Sequence, residues 1–218
     1  MLNPVKKFLN GVTAGIVIGM GGGVYLGCAE NKYVGAILFS VALLCICYRG
    51  YALFTGKVGF LPEDHGKDAC VTLLFALLGN TVGAFATGFA VRYAIPNSGL
   101  AAERLCTIKL ESQNLWQTLL RAVLCGILMY LAVSIFRDKK TPIGILFCIP
   151  TFILAGFEHS IADMFYFGTA GYVFGRAWLY LLIVVIGNAI GGVLLPLLSG
   201  VWNAGKKKTT EEQDGKNA

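Results

Sequence analysis

Long apolar runs alternate with short polar stretches along the chain, and their lengths suit the crossing of a membrane. A helix that spans a bilayer needs about 20 mostly apolar residues. Six runs come near or exceed that length: 9–28, 34–54, 69–94, 114–136, 142–167 and 173–200. The pattern predicts an all-α membrane protein with six transmembrane helices, in a domain that covers 1–203. The polar stretch 204–218 is expected to be a disordered tail.

The composition agrees with a membrane protein and argues against a nucleic-acid partner. Of the 218 residues, 56% are hydrophobic and 14% are charged, whereas a soluble domain has about 25% charged residues. The formal net charge of +6 comes from lysines and arginines at the ends of apolar runs, which is typical of topology signals rather than of a phosphate-binding surface. The cysteines form no CxxC pair and no Cys/His metal spacing, so neither a metal nor another cofactor is predicted.

The basic residues also predict the orientation of the chain. With six spans, both termini lie on one side of the membrane, together with the loops after the second and fourth spans. That side holds eleven lysines and arginines (6, 7, 57, 67, 137, 139, 140, 206, 207, 208 and 216), and the other side holds five (32, 92, 104, 109 and 176). Because cytoplasmic loops are enriched in basic residues, we expect cytoplasmic termini. The expected location is a bacterial inner membrane or a plasma membrane.

Two of the predicted spans are interrupted in a similar way. The second contains 48-YRGYALFTGKVGF-60, and the fifth contains 155-AGFEHS-160 after Pro150. The span that follows each interruption carries a Gly-Asn-x-x-Gly motif. The motif residues are Gly79, Asn80 and Gly83 in the third span and Gly187, Asn188 and Gly191 in the sixth. We therefore predict that spans 1–3 and 4–6 repeat one plan. Because each half has an odd number of spans, the second half starts from the opposite side of the membrane, so the two halves are inverted relative to each other. Such repeats with broken helices are typical of transporters and channels.

Three titratable residues, Glu158, His159 and Asp163, lie inside the fifth apolar run. Charged groups within a membrane are costly and by default mark a functional site. His159 and Asp163 are four residues apart and share a helix face, whereas Glu158 is rotated by about 100° and is predicted to bond the backbone at the break. His159 is either a hydrogen-bonded core residue or a pore residue that meets Thr55, from the other break. The repeat favours the pore.

Other residues allow two interpretations each from the sequence alone. Five apolar residues, Phe39, Leu43, Leu53, Phe54 and Phe152, are either ordinary core or hydrophobic collars that block hydrated ions. Lys109 is either a solvated surface residue or a vestibule charge that concentrates anions. Arg49 could attract anions, pair with a carboxylate or seal a subunit contact. Arg121 lies early in the fourth span and could reach the membrane surface by snorkelling.

Several motifs together resemble the formate–nitrite transporter family over about 1–203. The segment Gly156–Ala162 matches the family's Gly-Phe-Glu-His-x-Val/Ile-Ala motif, and Leu53–Thr55 matches its Leu-Phe-Thr break. Both Gly-Asn motifs and the position of Lys109 also match. The resemblance implies an aquaporin-like six-helix protomer in a homopentamer, with one pore per subunit. It also implies that Phe39, Leu43, Leu53, Phe54 and Phe152 form the constriction. The implied cargo is a small monovalent anion or its acid, such as formate, nitrite, hydrosulfide, acetate or lactate.

Three features depart from the pattern of that family. Asp163 replaces its asparagine, and Gly126 stands where a polar asparagine commonly faces the pore. Gly126 removes a hydrogen-bonding group, so we expect it to widen the pore or admit water. The family's amphipathic helix before the first span has no counterpart here, so we expect subunit contacts to lack its contribution.

Three functions remain in view from the sequence. The leading prediction is a channel or transporter in the lipid bilayer that passes small weak-acid anions with a proton or as the neutral acid. In that prediction Lys109 attracts the anion and His159 and Thr55 line the pathway. The alternative is a channel for a neutral solute such as water or ammonia, which Gly126 favours. A membrane enzyme is not predicted, because one histidine with two carboxylates lacks a nucleophile–base pair. The residues leave open which anion moves and in which direction.

Overall fold

The computed structural model describes residues 3–64 and 66–200, and within these ranges the chain is all helical. The tail predicted at 204–218 lies outside the described residues. The helices are α1 (Pro4–Gly27), α2 (Lys32–Arg49), α3 (Phe54–Lys57), α4 (Lys67–Ala94), α5 (Pro96–Glu111), α6 (Leu115–Lys139), α7 (Ile143–Leu154), α8 (Ser160–Ala170) and α9 (Arg176–Leu198). A short 3-10 turn, Val58–Phe60, follows α3.

Five of these helices, α1, α2, α4, α6 and α9, are long and apolar enough to cross a membrane. They correspond to the first, second, third, fourth and sixth predicted spans. The fifth predicted span falls on α7, which has 12 residues, and on α8, which has 11. The prediction of a helical membrane protein is therefore confirmed.

Helix ends in this chain follow from local capping chemistry. The Asn114 side chain accepts a hydrogen bond from Gln117 N, and the Gln117 side chain accepts one from Asn114 N, which is a capping box at the start of α6. Gly50 ends α2 with a φ of 70°, a conformation that favours glycine. Arg49 is the last residue of α2 and is exposed, so it lies at a helix end rather than within a span.

The helix α5 is an element that the sequence analysis did not predict. Its sequence is mixed in polarity, and a search for long apolar runs passes over it. Pro96 occupies its first turn, where proline is well tolerated. Ala102, Cys106 and Lys109 recur at helical spacing and are buried, and α5 packs against α8. This helix carries Lys109 into the interior.

Two helix pairs, α1 with α4 and α6 with α9, pack at very close range because glycine lies at their contacts. A Cβ atom added at Gly15 would collide with the Asn80 carbonyl, and one added at Gly126 would collide with the Asn188 carbonyl. Small residues allow helices to approach in this way in membranes. The two pairs hold the interrupted segments between them.

Candidate functional site

The non-helical segment between α7 and α8 is held by the amide of Asn188, on α9. Asn188 Nδ2 donates to the carbonyl oxygens of Ala122 and Glu158, and Asn188 Oδ1 accepts from Ser160 N, each at 2.8 Å. Asn188 is fully buried. Backbone groups freed at a helix break inside a membrane must find partners within the protein. Asn188 supplies them and so fixes the position of His159.

The segment between α2 and α3 is held by Asn80, on α4. Asn80 Nδ2 donates to the carbonyl oxygens of Gly11 and Ala52, and Asn80 Oδ1 accepts from Phe54 N, each at 2.8 Å. Asn80 is also fully buried. Thr55, the next residue of α3, is thereby placed opposite His159.

His159 and Thr55 meet in the interior of the protein. Thr55 Oγ1 and His159 Nε2 are 2.9 Å apart, and both residues are buried. His159 Nδ1 accepts a hydrogen bond from Ala162 N at 3.2 Å, so the proton of the neutral ring lies on Nε2. Nε2 then donates to Thr55 Oγ1, which leaves the Thr55 hydroxyl hydrogen available to another acceptor.

One of the predicted constriction residues, Phe152, contacts this pair directly. The Phe152 ring stacks on the His159 imidazole with centroids 5.6 Å apart, and Phe39 contacts Phe152 edge-on at 6.4 Å. Leu43, Leu53 and Phe54 are buried as well. The His159 imidazole therefore has an aromatic ring stacked on one face.

Two cavities lie next to the constriction residues. The first, here called the His159 cavity, has a volume of about 200 Å³ and is lined by Phe39, Phe152, His159 and the charged residues described below. The second, here called the Lys57 cavity, has about 260 Å³ and includes Leu43, Leu53 and Lys57. Phe39 and Leu43 are one turn apart on α2, and each lines a different cavity. Phe152 lines the first cavity with Phe39, and Leu53 lines the second with Leu43; these four side chains are here called the apolar partition.

A buried charged cluster joins α5 to the start of α8. Lys109 Nζ contacts Glu158 Oε2 and lies 3.1 Å from Asp163 Oδ1. Burial alone would lower the Lys109 pKa, but Asp163 and Glu158 outweigh it and hold the pKa well above its usual value of 10.5. Lys109 is therefore a charged, paired side chain rather than a solvated one.

The role predicted for Glu158 is wrong. Its carboxylate was expected to bond the backbone at the break, but it contacts Lys109 and accepts from Gln113 Nε2 at 3.0 Å. Asn188 makes the backbone hydrogen bonds in its place. An amide has both a donor and an acceptor and can satisfy both kinds of backbone group, whereas an ionised carboxylate can only accept.

Asp163 is the least satisfied member of the charged cluster. Its Oδ1 faces Lys109, whereas its buried Oδ2 has no hydrogen-bond partner among the described residues. Two carboxylates, those of Asp163 and Glu158, share one ammonium group.

Gly126 lies at the contact between α6 and α9 and lines neither of the two cavities. A Cβ atom at this position would meet the Asn188 carbonyl and, at 2.9 Å, Gly192 N. The family resemblance placed Gly126 in the pore lining, but in the structure the atoms nearest to a Cβ there belong to the backbone of α9. Gly79, Gly83 and Gly191 lie at similar close backbone contacts, and a Cβ atom at Gly187 would first meet the Cβ atom of Ala122.

Arg121 is a residue of the His159 cavity that the sequence analysis did not assign to the site. It was interpreted as a snorkelling side chain, yet it lines the cavity with its NH1 atom 3.5 Å from the Gly156 carbonyl oxygen. Arg121 shares a helix face with Thr118 and Cys125, three and four residues away. Both are fully buried in the structure, and the sequence alone gave no signal of that burial.

Comparison with known proteins gives a consistent result. The family model described as "Formate/nitrite transporter" matches residues 1–202. A formate-nitrite transporter of Plasmodium ovale is 27% identical over a gapped alignment of 230 positions, which covers 87% of this chain and 72% of the relative. The nitrite transporter NirC of Salmonella typhimurium is 28% identical over a gapped alignment of 233 positions, which covers 94% of this chain and 85% of that protein.

A solved structure shares the fold. The structure described as a pentameric formate channel with formate bound aligns with a TM-score of 0.71 and 24% identity, over 92% of this chain and 96% of that one. The helical arrangement of the present chain is therefore the arrangement found in that channel.

Proposed function

The chain belongs to the formate/nitrite transporter family, and from this premise we propose that it passes small monovalent weak-acid anions across a membrane, with a proton or as the neutral acid. The observation that carries the proposal is the contact between His159 and Thr55, which joins two interrupted segments behind apolar side chains. A channel or transporter needs such a polar station inside an apolar barrier, whereas a structural helix bundle does not.

The architecture that we propose is a pair of inverted three-helix repeats with broken second and fifth spans. Its support is the recurrence of one hydrogen-bond set. Asn80 bonds Gly11, Ala52 and Phe54, and in the same pattern Asn188 bonds Ala122, Glu158 and Ser160. The collision that a Cβ would make at Gly15 with the Asn80 carbonyl recurs at Gly126 with the Asn188 carbonyl.

The proposed pathway runs from the His159 cavity past Phe39 and Phe152 to the Lys57 cavity. A bare anion would lose its hydration at the apolar partition, which is costly, whereas the neutral conjugate acid pays far less. The anion therefore gains a proton before the partition and loses it beyond. His159 and Thr55 supply hydrogen bonds to the acid at the depth where water is excluded.

His159 acts in this proposal as a neutral hydrogen-bond station. A second proton on the ring would place an Nδ1–H group against Ala162 N–H, and both are donors. The Thr55 hydroxyl hydrogen, which is not needed by His159, can be donated to the passing acid. The proton that neutralises the anion then comes from hydronium in the solution on the entry side, rather than from the imidazole, and it returns to the solution beyond the partition.

The assembly and placement of the chain are parts of the same proposal. We propose a homopentamer with a pore in each subunit, supported by the fold shared with a pentameric channel. Exposed apolar side chains along α1, α2 and α4, such as Met20, Val41 and Leu78, fit contact with lipid or with neighbouring subunits. Cytoplasmic termini, a bacterial inner or plasma membrane and a division into a 1–203 domain and a 204–218 tail complete the proposal.

Uptake into proteoliposomes tests this function. Formate, nitrite, hydrosulfide and acetate are presented in turn at pH 5.5 and 7.5 to the wild type and to His159→Phe. We expect at least one of them to enter, faster at pH 5.5, and only with His159 intact. Equal flux in His159→Phe at both pH values would contradict the proposal, as would a wild type that passes water or ammonia but none of the anions. Size-exclusion chromatography confirms that the variant is folded.

A further inference from the structure

The His159 cavity contains two positively charged side chains with very different surroundings. Lys109 Nζ is held between Glu158 and Asp163, so its charge is neutralised within the protein. Arg121 lines the same cavity and forms no salt bridge with any described residue. An anion that enters the cavity therefore meets the field of Arg121 rather than that of Lys109.

The donors of Arg121 are largely unused. A guanidinium group has five N–H donors, and among the described residues the side chain of Arg121 makes one long hydrogen bond, from NH1 to the Gly156 carbonyl oxygen at 3.5 Å. A positively charged group with spare donors beside a solvent-sized cavity is suited to binding an anion. The short loop that contains Gly156 leads directly to His159, so the anion would be held next to the proposed pathway.

The shape of the guanidinium group selects among small anions. Its planar pair of N–H groups matches the two oxygens of a carboxylate or of nitrite, which gives two parallel charge-assisted hydrogen bonds. Hydrosulfide and chloride have one centre and cannot use both arms in this way. The geometry therefore favours planar anions with two oxygens.

We propose that Arg121 is the anion-docking residue of the His159 cavity and that it prefers planar two-oxygen anions, while Lys109 is a positioning residue that holds Glu158 and Asp163. This inference rests on the proposed function, because it assigns the site at which the transported anion first binds. It also transfers to Arg121 the role of anion attraction that the sequence suggested for Lys109.

The experiment measures equilibrium binding of formate to the purified full-length protein in detergent. Saturation-transfer NMR detects the bound formate, and chloride is added as a competitor. The variants are Arg121→Gln, Arg121→Lys and, as a matched control, Arg104→Gln, since Arg104 is an exposed arginine on α5 outside the cavity. We expect Arg121→Gln to weaken formate binding about tenfold or more. Arg104→Gln should bind formate as the wild type does.

Arg121→Lys separates docking from a purely structural role. Lysine keeps the charge and a donor for Gly156 but lacks the planar fork. We expect this variant to bind anions but to lose the preference for formate over chloride. Wild-type formate affinity in Arg121→Gln, a preserved preference in Arg121→Lys, or no formate binding to the wild type would each overturn the inference.

The binding and uptake measurements distinguish failure of the docking site from failure of the proposed function. If the wild type binds formate through Arg121 but transports no anion into proteoliposomes, the proposed function fails and the docking site stands. If formate uptake depends on His159 but formate binding does not depend on Arg121, the proposed function stands and the docking site is refuted.

Discussion

Thr55→Val removes one hydroxyl group from the centre of the proposed pathway and almost nothing else. Valine has nearly the volume of threonine, and Thr55 is buried with its Oγ1 atom 2.9 Å from His159 Nε2. His159 Nδ1 is already engaged with Ala162 N. The ring therefore cannot find another partner for its Nε2–H group without breaking that contact.

The magnitude follows from leaving that buried N–H group unpaired. The cost of an unsatisfied buried donor is about 1–3 kcal/mol, and the free energy of unfolding should fall by that amount. A passing acid also loses the hydrogen bond that the Thr55 hydroxyl would donate. If that bond is worth about 1–3 kcal/mol at the barrier, formate flux should fall by about 5-fold to 150-fold.

Initial uptake rates in proteoliposomes measure the effect, with Thr55→Ser as the matched control. Serine keeps the hydroxyl group and should retain formate flux within about threefold of the wild type. The reasoning is refuted if the valine and serine variants transport formate equally well. It is also refuted if the valine and serine variants lose the same free energy of unfolding, because the hydroxyl group would then have no specific role in stability.

Three further changes have expected outcomes. Asn188→Leu leaves two buried backbone groups of the break unpaired, Glu158 O and Ser160 N, at about 1–3 kcal/mol each, and should reduce the yield of folded protein in size-exclusion chromatography. Gly126→Ala forces a Cβ into the Asn188 carbonyl and should lower the Tm, whereas Gly23→Ala, with no atom nearer than 3.8 Å, should not. Lys109→Met should lower the free energy of unfolding by about 3–5 kcal/mol. In denaturant titrations this difference from the wild type should persist up to a pH of about 10 and narrow only above 10.5, because the pKa of Lys109 is raised in the folded protein.

The membrane fold was predictable because its signals are long and additive. Runs of about 20 apolar residues leave few alternatives, and the paired Gly-Asn motifs at Asn80 and Asn188 mark positions where the chain must satisfy its own backbone. The pairing of His159 with Thr55 also followed from the repeat. Each of these features depends on a pattern that is visible within one segment or repeated in a second.

Features that depend on one helix meeting another were harder to predict. The helix α5 lacks an apolar run, so the burial of Lys109 beside Asp163 was not visible. Arg121 was assigned to the membrane surface because it lies near the start of a span. The direction of its side chain, however, is set by how α6 packs on its neighbours. Gly126 was assigned to the pore by resemblance, whereas the contact with Asn188 is decided by helix rotation.

The central claim is that the anion crosses the apolar partition as its neutral acid. The most direct test records formate entry and internal pH together, in proteoliposomes that contain a pH-sensitive dye, with the membrane potential clamped at zero and then made negative inside. We predict that one proton enters with each formate and that the potential has no effect on the rate. Formate entry without acidification, slowed by a negative interior, would contradict the account, because a bare anion would then have crossed the partition between Phe39 and Leu43.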